Sequence, residues 1–141
     1  DIMTETVVTL SPEIDLIEAS KILESVSHTG APVADSEGNL VGFLTLRDIM
    51  NGRKAGQMHV PVRNFMTRKT ISAPPDAPVR EIVERLFEHN IGHIPITEGT
   101  KVIGIVTRAD ILDYKKTDRL RKTAFLSKLG VATNDLEIAT A

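Results

Sequence analysis

Along the chain, Leu16, Ala19, Leu23 and Val26 recur at spacings of three, four and three, with Glu and Lys on the intervening faces. That is the period of a helix presenting one apolar stripe to a core. Val79, Ile82 and Leu86 repeat the figure, with Glu and Arg between them. Ahead of each stripe stands a short β-branched run closed by proline, "TVVTLSP" and "KTISAPP", which predicts a strand ending just before a helix. Behind each stripe come "APVAD" and "IPITE", then the turns "SEGN" and "EGTK", then "LVGFLT" and "VIGIVT". These read as two strands joined in a hairpin. A further helix is expected after Thr45 and again after Thr107. The order strand, helix, strand, strand, helix occurs twice, which makes the fold class α+β, with helices covering one side of a small sheet.

The repetition extends beyond pattern to identity. An offset of 63 residues lays Met3-Thr4 on Met66-Thr67, Pro12 on Pro75, Leu23 on Leu86 and Pro32 on Pro95. After one deletion an offset of 62 lays Gly42, Thr45, Asp48 and Ile49 on Gly104, Thr107, Asp110 and Ile111. The chain divides into a first repeat with linker over 1–62, a second over 63–115, and a C-terminal helix and tail over 116–141. A unit of about 55 residues buries too little surface to be stable alone, so the two copies are expected to pack face to face, leaving clefts suited to small ligands.

Composition narrows the function. The chain has 141 residues, 41% hydrophobic and 26% charged, enough for a real core. A formal net charge of -2 provides no global pull toward nucleic acid or an anionic membrane. No apolar run reaches 18 residues, so a membrane span is not expected, and neither is a secretory signal; the expected compartment is the cytosol. The absence of Cys removes disulfides, thiolate metal sites and thiol catalysis. An opening on Asp1 inside "DIMT" reads as a segment of a longer protein.

The repeated Thr-x-x-Asp admits two readings. Thr at N-cap with Asp three residues on is a capping box, in which the hydroxyl accepts from an early helical amide and the acid complements the helix dipole. The alternative is a ligand site. The pair recurs at equivalent positions, follows Gly42 or Gly104 by three residues, and stands where a strand meets a helix start, whose free amides suit phosphate. An ionised Asp offers two acceptor oxygens, matching the vicinal hydroxyls of a ribose.

"GFLTLRD" and "GIVTRAD", with the "IMT" and "FMT" openings and the "GAPV" and "HIPI" segments, resemble a tandem pair of cystathionine-β-synthase (CBS) domains, a Bateman module, over residues 1 to 115. The resemblance implies two β-α-β-β-α repeats in pseudo-twofold packing, a homodimer, and regulation of an attached or partner effector domain. It implies binding of AMP, ADP, ATP or S-adenosylmethionine, with no catalysis by the module itself. By position, Asp110 would hold the ribose, Thr107 would lie near the phosphates and Ile105 against the adenine, with Ile71 and His93 completing the primary site. A second, weaker site would use Asp48, Thr45, Phe43 and Val8. It departs from the pattern because Gly30 replaces the basic residue found at His93. The linker "RDIMNGRKAGQMHVPVRNFMT" further resembles the CBS pair of bacterial tRNA nucleotidyltransferase and poly(A) polymerase-type proteins. The alternative function is a ligand-free interaction or dimerisation scaffold, or an RNA-handling accessory domain.

Other motifs are weaker. His89 and His93 have the spacing of helical zinc ligands, but Gly92 is expected to end the helix between them. "GRKAGQ" at 52–57 lacks the Gly-Lys-Ser/Thr ending of a phosphate loop and reads as a helix end and linker. The basic stretch at 113–130 reads as a long helix packing on a dimer partner or neighbouring domain. It lacks the interleaved aromatics that would favour nucleic acid. Ile49, Met50, Ile111 and Leu112 are more apolar residues than one small core needs, which again favours a dimer.

Overall fold

The structure is a computed structural model and describes residues 7–111. Met3-Thr4, Leu112, the 113–130 helix and the 116–141 tail lie outside the described residues. Within the described range the chain forms two units, one of residues 7–70 with 100–102 and one of residues 71–99 with 103–111.

In the first unit, helix α1 (Leu16–Ser25) starts at Asp15, whose side chain accepts from the Glu18 amide at 2.8 Å. Leu16, Ala19 and Leu23 are buried as the stripe requires, while Val26 serves as the C-cap. Ser27 follows at φ 56 and turns the chain into strand β1 (Gly30–Ala34). β1 pairs antiparallel with β2 (Leu40–Thr45), Ala31 opposite Leu44 and Pro32 opposite Phe43, with a register shift after Val33. Proline is tolerated in β1 because the amide and carbonyl of Phe43 point the other way. They exchange two 2.9 Å bonds with Thr67, so no donor is missed opposite Pro32. Helix α2 (Leu46–Lys54) follows and ends at Ala55, so "GRKAGQ" is indeed a helix end. The core gathers Leu10, Leu16, Ala19, Leu23, Val33, Leu44, Ile49, Val62 and Met66, among others.

The second unit repeats this plan. Helix α3 (Val79–Glu88) buries Val79, Ile82, Val83 and Leu86. Strands β3 (His93–Glu98) and β4 (Lys101–Thr107) form the second two-stranded sheet, and residues 108–111 enter a helix. α3 stops at His89, earlier than Gly92, because Asn90 at φ 50 takes the left-handed position that Ser27 takes in the first unit.

The strands expected in "TVVTLSP" and "KTISAPP" are each reduced to one parallel bridge, Leu10 with Val33 and Ala73 with Ile96. Leu10 donates to the Pro32 carbonyl and accepts from Ala34, both at 2.9 Å. Ala73 donates to Pro95 at 3.1 Å and accepts from Thr97 at 2.9 Å. Pairing stops there because Pro12, Pro74 and Pro75 follow within two residues and bring no amide to continue a ladder.

The apolar surplus expected from Ile49, Met50, Ile111 and Leu112 is smaller than it reads. Ile49 (3% exposed) and Ile111 (6%) are consumed by their own cores, whereas Met50 is 53% exposed. Leu46 on α2 and Phe87 on α3 are the other large hydrophobic side chains exposed among the described residues. No helix among the described residues is long and apolar enough to cross a membrane.

Candidate functional site

β2 and β4 each deliver a threonine to the start of a helix. In the first unit the Asp48 amide donates to Thr45 Oγ1 at 3.3 Å. Asp48 Oδ2 accepts from the Thr45 amide at 2.9 Å and from its hydroxyl at 3.1 Å. In the second unit the Asp110 amide donates to Thr107 Oγ1 at 3.1 Å and Asp110 Oδ2 accepts from the Thr107 amide at 2.9 Å. Both pairs are therefore reciprocal caps, which satisfy amides that a helix start would otherwise leave open. The cap uses one carboxylate oxygen in each case. Among the described residues, Oδ1 of neither aspartate accepts a hydrogen bond, so each half-buried carboxylate keeps one acceptor.

The residues expected to surround Asp110 all belong to the second unit, and those expected around Asp48 all belong to the first. Ile105 is 6% exposed but lies outside its unit's core cluster, whereas its neighbour Val106 is a member. Phe43 and Leu44 divide in the same way. Alternation along a strand thus puts Ile105 and Phe43 on the side away from the helices. Ile71 and Val8 are half-buried, each two residues before the bridging residue of its repeat. His93 opens β3, half-buried, and the Gly92 carbonyl just before it accepts from the Arg108 amide at 3.0 Å. That bond joins the start of β3 to the Thr107 cap. The Leu46 amide donates to Thr29 at 2.9 Å, the same link in the first unit.

Two glycines have reasons that the sequence did not disclose. A Cβ on Gly30 would lie 2.9 Å from Phe43 Cε1 and 3.0 Å from the Leu44 carbonyl oxygen, so a counterpart of His93 in the first unit would have to displace the Phe43 ring. A Cβ on Gly42 would lie 2.6 Å from Met66 Sδ and 2.9 Å from the Thr67 carbonyl oxygen. The close approach that Gly42 permits is therefore taken up by the chain's own segment at 66–67. The repeated Met-Thr was the available signal for this contact.

His89 closes α3 and His93 opens β3 beyond the Asn90 turn, so the two do not share a helical face. Among the described residues no group of three or more His, Asp or Glu could hold a metal ion.

A residue overlooked in the motif is Arg108. Its Nε donates to the Ile91 carbonyl at 2.8 Å, and its Nη2 to the Leu86 carbonyl at 3.1 Å and Asn90 Oδ1 at 3.4 Å. Its guanidinium carbon stands 5.2 Å from the centre of the Phe87 ring. The signal was a basic residue beside Thr107 where the first repeat has Leu46.

The family model of the CBS domain matches residues 1–54 and 62–117. An inosine-5'-monophosphate dehydrogenase of Methanocaldococcus jannaschii is 30% identical over 100% of this chain and 29% of its own length. An A-adding tRNA nucleotidyltransferase of Geobacter sulfurreducens is 28% identical over 92% of this chain and 15% of its own. Among solved structures, the CBS domain pair of protein MJ0100 in complex with 5'-methylthioadenosine and S-adenosyl-L-methionine superposes with a TM-score of 0.75. It is 32% identical, covering 80% of this chain and 94% of that one. The chain thus spans less than a third of these two enzymes.

Proposed function

This chain belongs to the CBS domain family, and from that premise we propose that it is a regulatory module binding an adenosine-type ligand at the Thr107–Asp110 junction. The observation that carries the reading is the spare Oδ1 of Asp110, held in place by the cap that occupies Oδ2. An ionised oxygen fixed in this way accepts from a ribose hydroxyl without reorganising. Ile105 supplies an apolar surface for the adenine, Thr107 and His93 face the phosphate or sulfonium end, and Ile71 completes the site. S-adenosylmethionine is a candidate because the MJ0100 pair holds it; AMP, ADP and ATP share the adenosine that Asp110 and Ile105 would recognise.

The first unit offers the weaker site, with Asp48, Thr45, Phe43 and Val8, because Gly30 supplies no side chain there. The module does not itself catalyse. It acts on an effector domain, fused or separate, and the nucleotidyltransferase and dehydrogenase relatives suggest enzymes of nucleotide or tRNA metabolism as that partner. Exposed Leu46, Met50 and Phe87 support assembly as a homodimer, checked by sedimentation at micromolar concentration. The test of the function is calorimetric titration of the chain with S-adenosylmethionine, AMP, ADP and ATP. Binding of at least one supports the reading, and binding of none favours a ligand-free scaffold.

A further inference from the structure

The two units share their main-chain junctions bond for bond. The His28 amide donates to Leu23 at 3.0 Å as the Ile91 amide does to Leu86 at 3.0 Å. Ser27 and Asn90 take the same left-handed turn, and the Leu46 and Arg108 amides reach the carbonyls before β1 and β3. What differs is the side chain that follows the capping threonine. Leu46 is 41% exposed, whereas Arg108 spreads its guanidinium over the end of α3 and the turn beyond it. It adds a second donor to the Leu86 carbonyl in the last turn of α3 and binds the Ile91 carbonyl in the turn beyond, where a cation is also favoured by the helix dipole.

We propose that Arg108 is the positioning residue of the second-repeat site: it locks the 90–92 turn to the Thr107–Asp110 cap and so presets the geometry of His93, Thr107 and Asp110 for a nucleoside ligand. The proposal rests on the reading of that site given above. Three donor contacts and the Phe87 ring bind one planar group, so the turn and the cap move together. Without it, the main-chain bond from residue 108 to Gly92 remains between them, the counterpart of the bond from Leu46 to Thr29 in the first unit. A site that is formed only part of the time has its apparent affinity lowered by that fraction. The difference between Arg108 and Leu46 therefore reinforces, independently of His93 and Gly30, the ranking of the second site above the first.

The test uses the full chain carrying Asp48→Ala, so that titration reads the second site alone, with S-adenosylmethionine and AMP as probes. Arg108→Leu, which imports the first repeat's residue, is expected to weaken binding by about tenfold, and Arg108→Lys to recover part of it by reaching one carbonyl. Parent affinity in folded Arg108→Leu overturns the proposal. Should Arg108→Leu fail to fold, Arg108→Lys and Arg108→Gln decide the matter, since both are expected to bind more weakly than parent and equality with it overturns the claim. Amide hydrogen exchange supplies a readout independent of ligand. The amides of 91–93 are expected to exchange at least several-fold faster in the variant, with those of Leu23 and Val33 unchanged. If neither probe binds the Asp48→Ala chain, the site reading and the affinity claim fall together. The exchange rates then still decide whether the clamp exists, and equal rates refute it.

Discussion

The ring of Phe43 lies against the backbone of Gly30 so closely that a Cβ added there would stand 2.9 Å from its Cε1. The missing side chain at the start of β1 thus has a packing reason of its own. Gly30→His is expected to destabilise the chain by about 1 to 3 kcal/mol through overpacking, without raising affinity at the first site. Denaturant unfolding together with titration in an Asp110→Ala background checks both halves.

Because Asp110 both caps a helix and keeps one oxygen free, Asp110→Ala is expected to lower two quantities at once. Loss of the cap costs about 1 kcal/mol of folding stability. Loss of a charge-assisted bond to a ribose hydroxyl, worth about 1.5 to 3 kcal/mol, weakens binding at least roughly tenfold. Asp48→Ala is expected to show a similar stability loss and a much smaller affinity loss. A larger affinity loss in Asp48→Ala would reverse the order of the two sites.

Ligand binding should register as thermal stabilisation. At a ligand concentration one hundred times Kd, linkage contributes about 2.7 kcal/mol, raising the melting midpoint by roughly 5 to 10 °C for a chain of this size. Calorimetry with S-adenosylmethionine, AMP, ADP and ATP measures it, and Asp110→Ala should flatten the response.

The β1–β2 turn carries a pH dependence of defined sign. Asp35 Oδ1 accepts from the Asn39 and Glu37 amides, each at 2.9 Å, and Oδ2 from the Asn39 side chain at 3.2 Å. The Asn39 amide above all, then the Asn39 side chain, the Glu37 amide and the nearby charge of Lys101, hold the Asp35 carboxyl below its ordinary value of 3.8 against a partial desolvation that raises it. A lowered folded pKa contributes stability that is fully present above the unfolded value and is lost as pH falls through the folded one. Asp35→Asn should therefore be less stable than parent at pH 6, and the two should converge as pH drops below the folded pKa. A gap that persists or widens in acid would contradict this.

Much of the architecture was legible because the apolar stripes of α1 and α3 and the Gly and Asn turn residues all point to one fold. Leu16, Ala19, Leu23, Val79, Ile82 and Leu86 are buried as the period requires. The opening strands are shorter than their composition suggests because β-branched runs advertise extended backbone but not how far a partner can follow, and Pro12, Pro74 and Pro75 stop the ladders after single bridges. At the sites, the repetition of Thr-x-x-Asp exposed the cap, since capping depends on residues three apart. Arg108 escaped notice because its partners, Leu86, Asn90 and Ile91, sit seventeen to twenty-two residues away. The reasons for Gly30 and Gly42 likewise lie on other segments, in Phe43 on the paired strand and in Met66 with Thr67 beyond it.

If each carboxylate is divided between folding and recognition as proposed, an evolutionary consequence follows. Selection for a stable helix start is enough to keep Asp48, whether or not anything binds beside it, so a repeat that stops responding to metabolites keeps half of its receptor intact. Recovering a response would then require concerted change at Gly30, at the Phe43 ring packed against it and at Leu46, whereas losing one in the other repeat would need only a single replacement of Arg108. Twin modules of this kind can divide into one sensing copy and one silent copy while both remain folded.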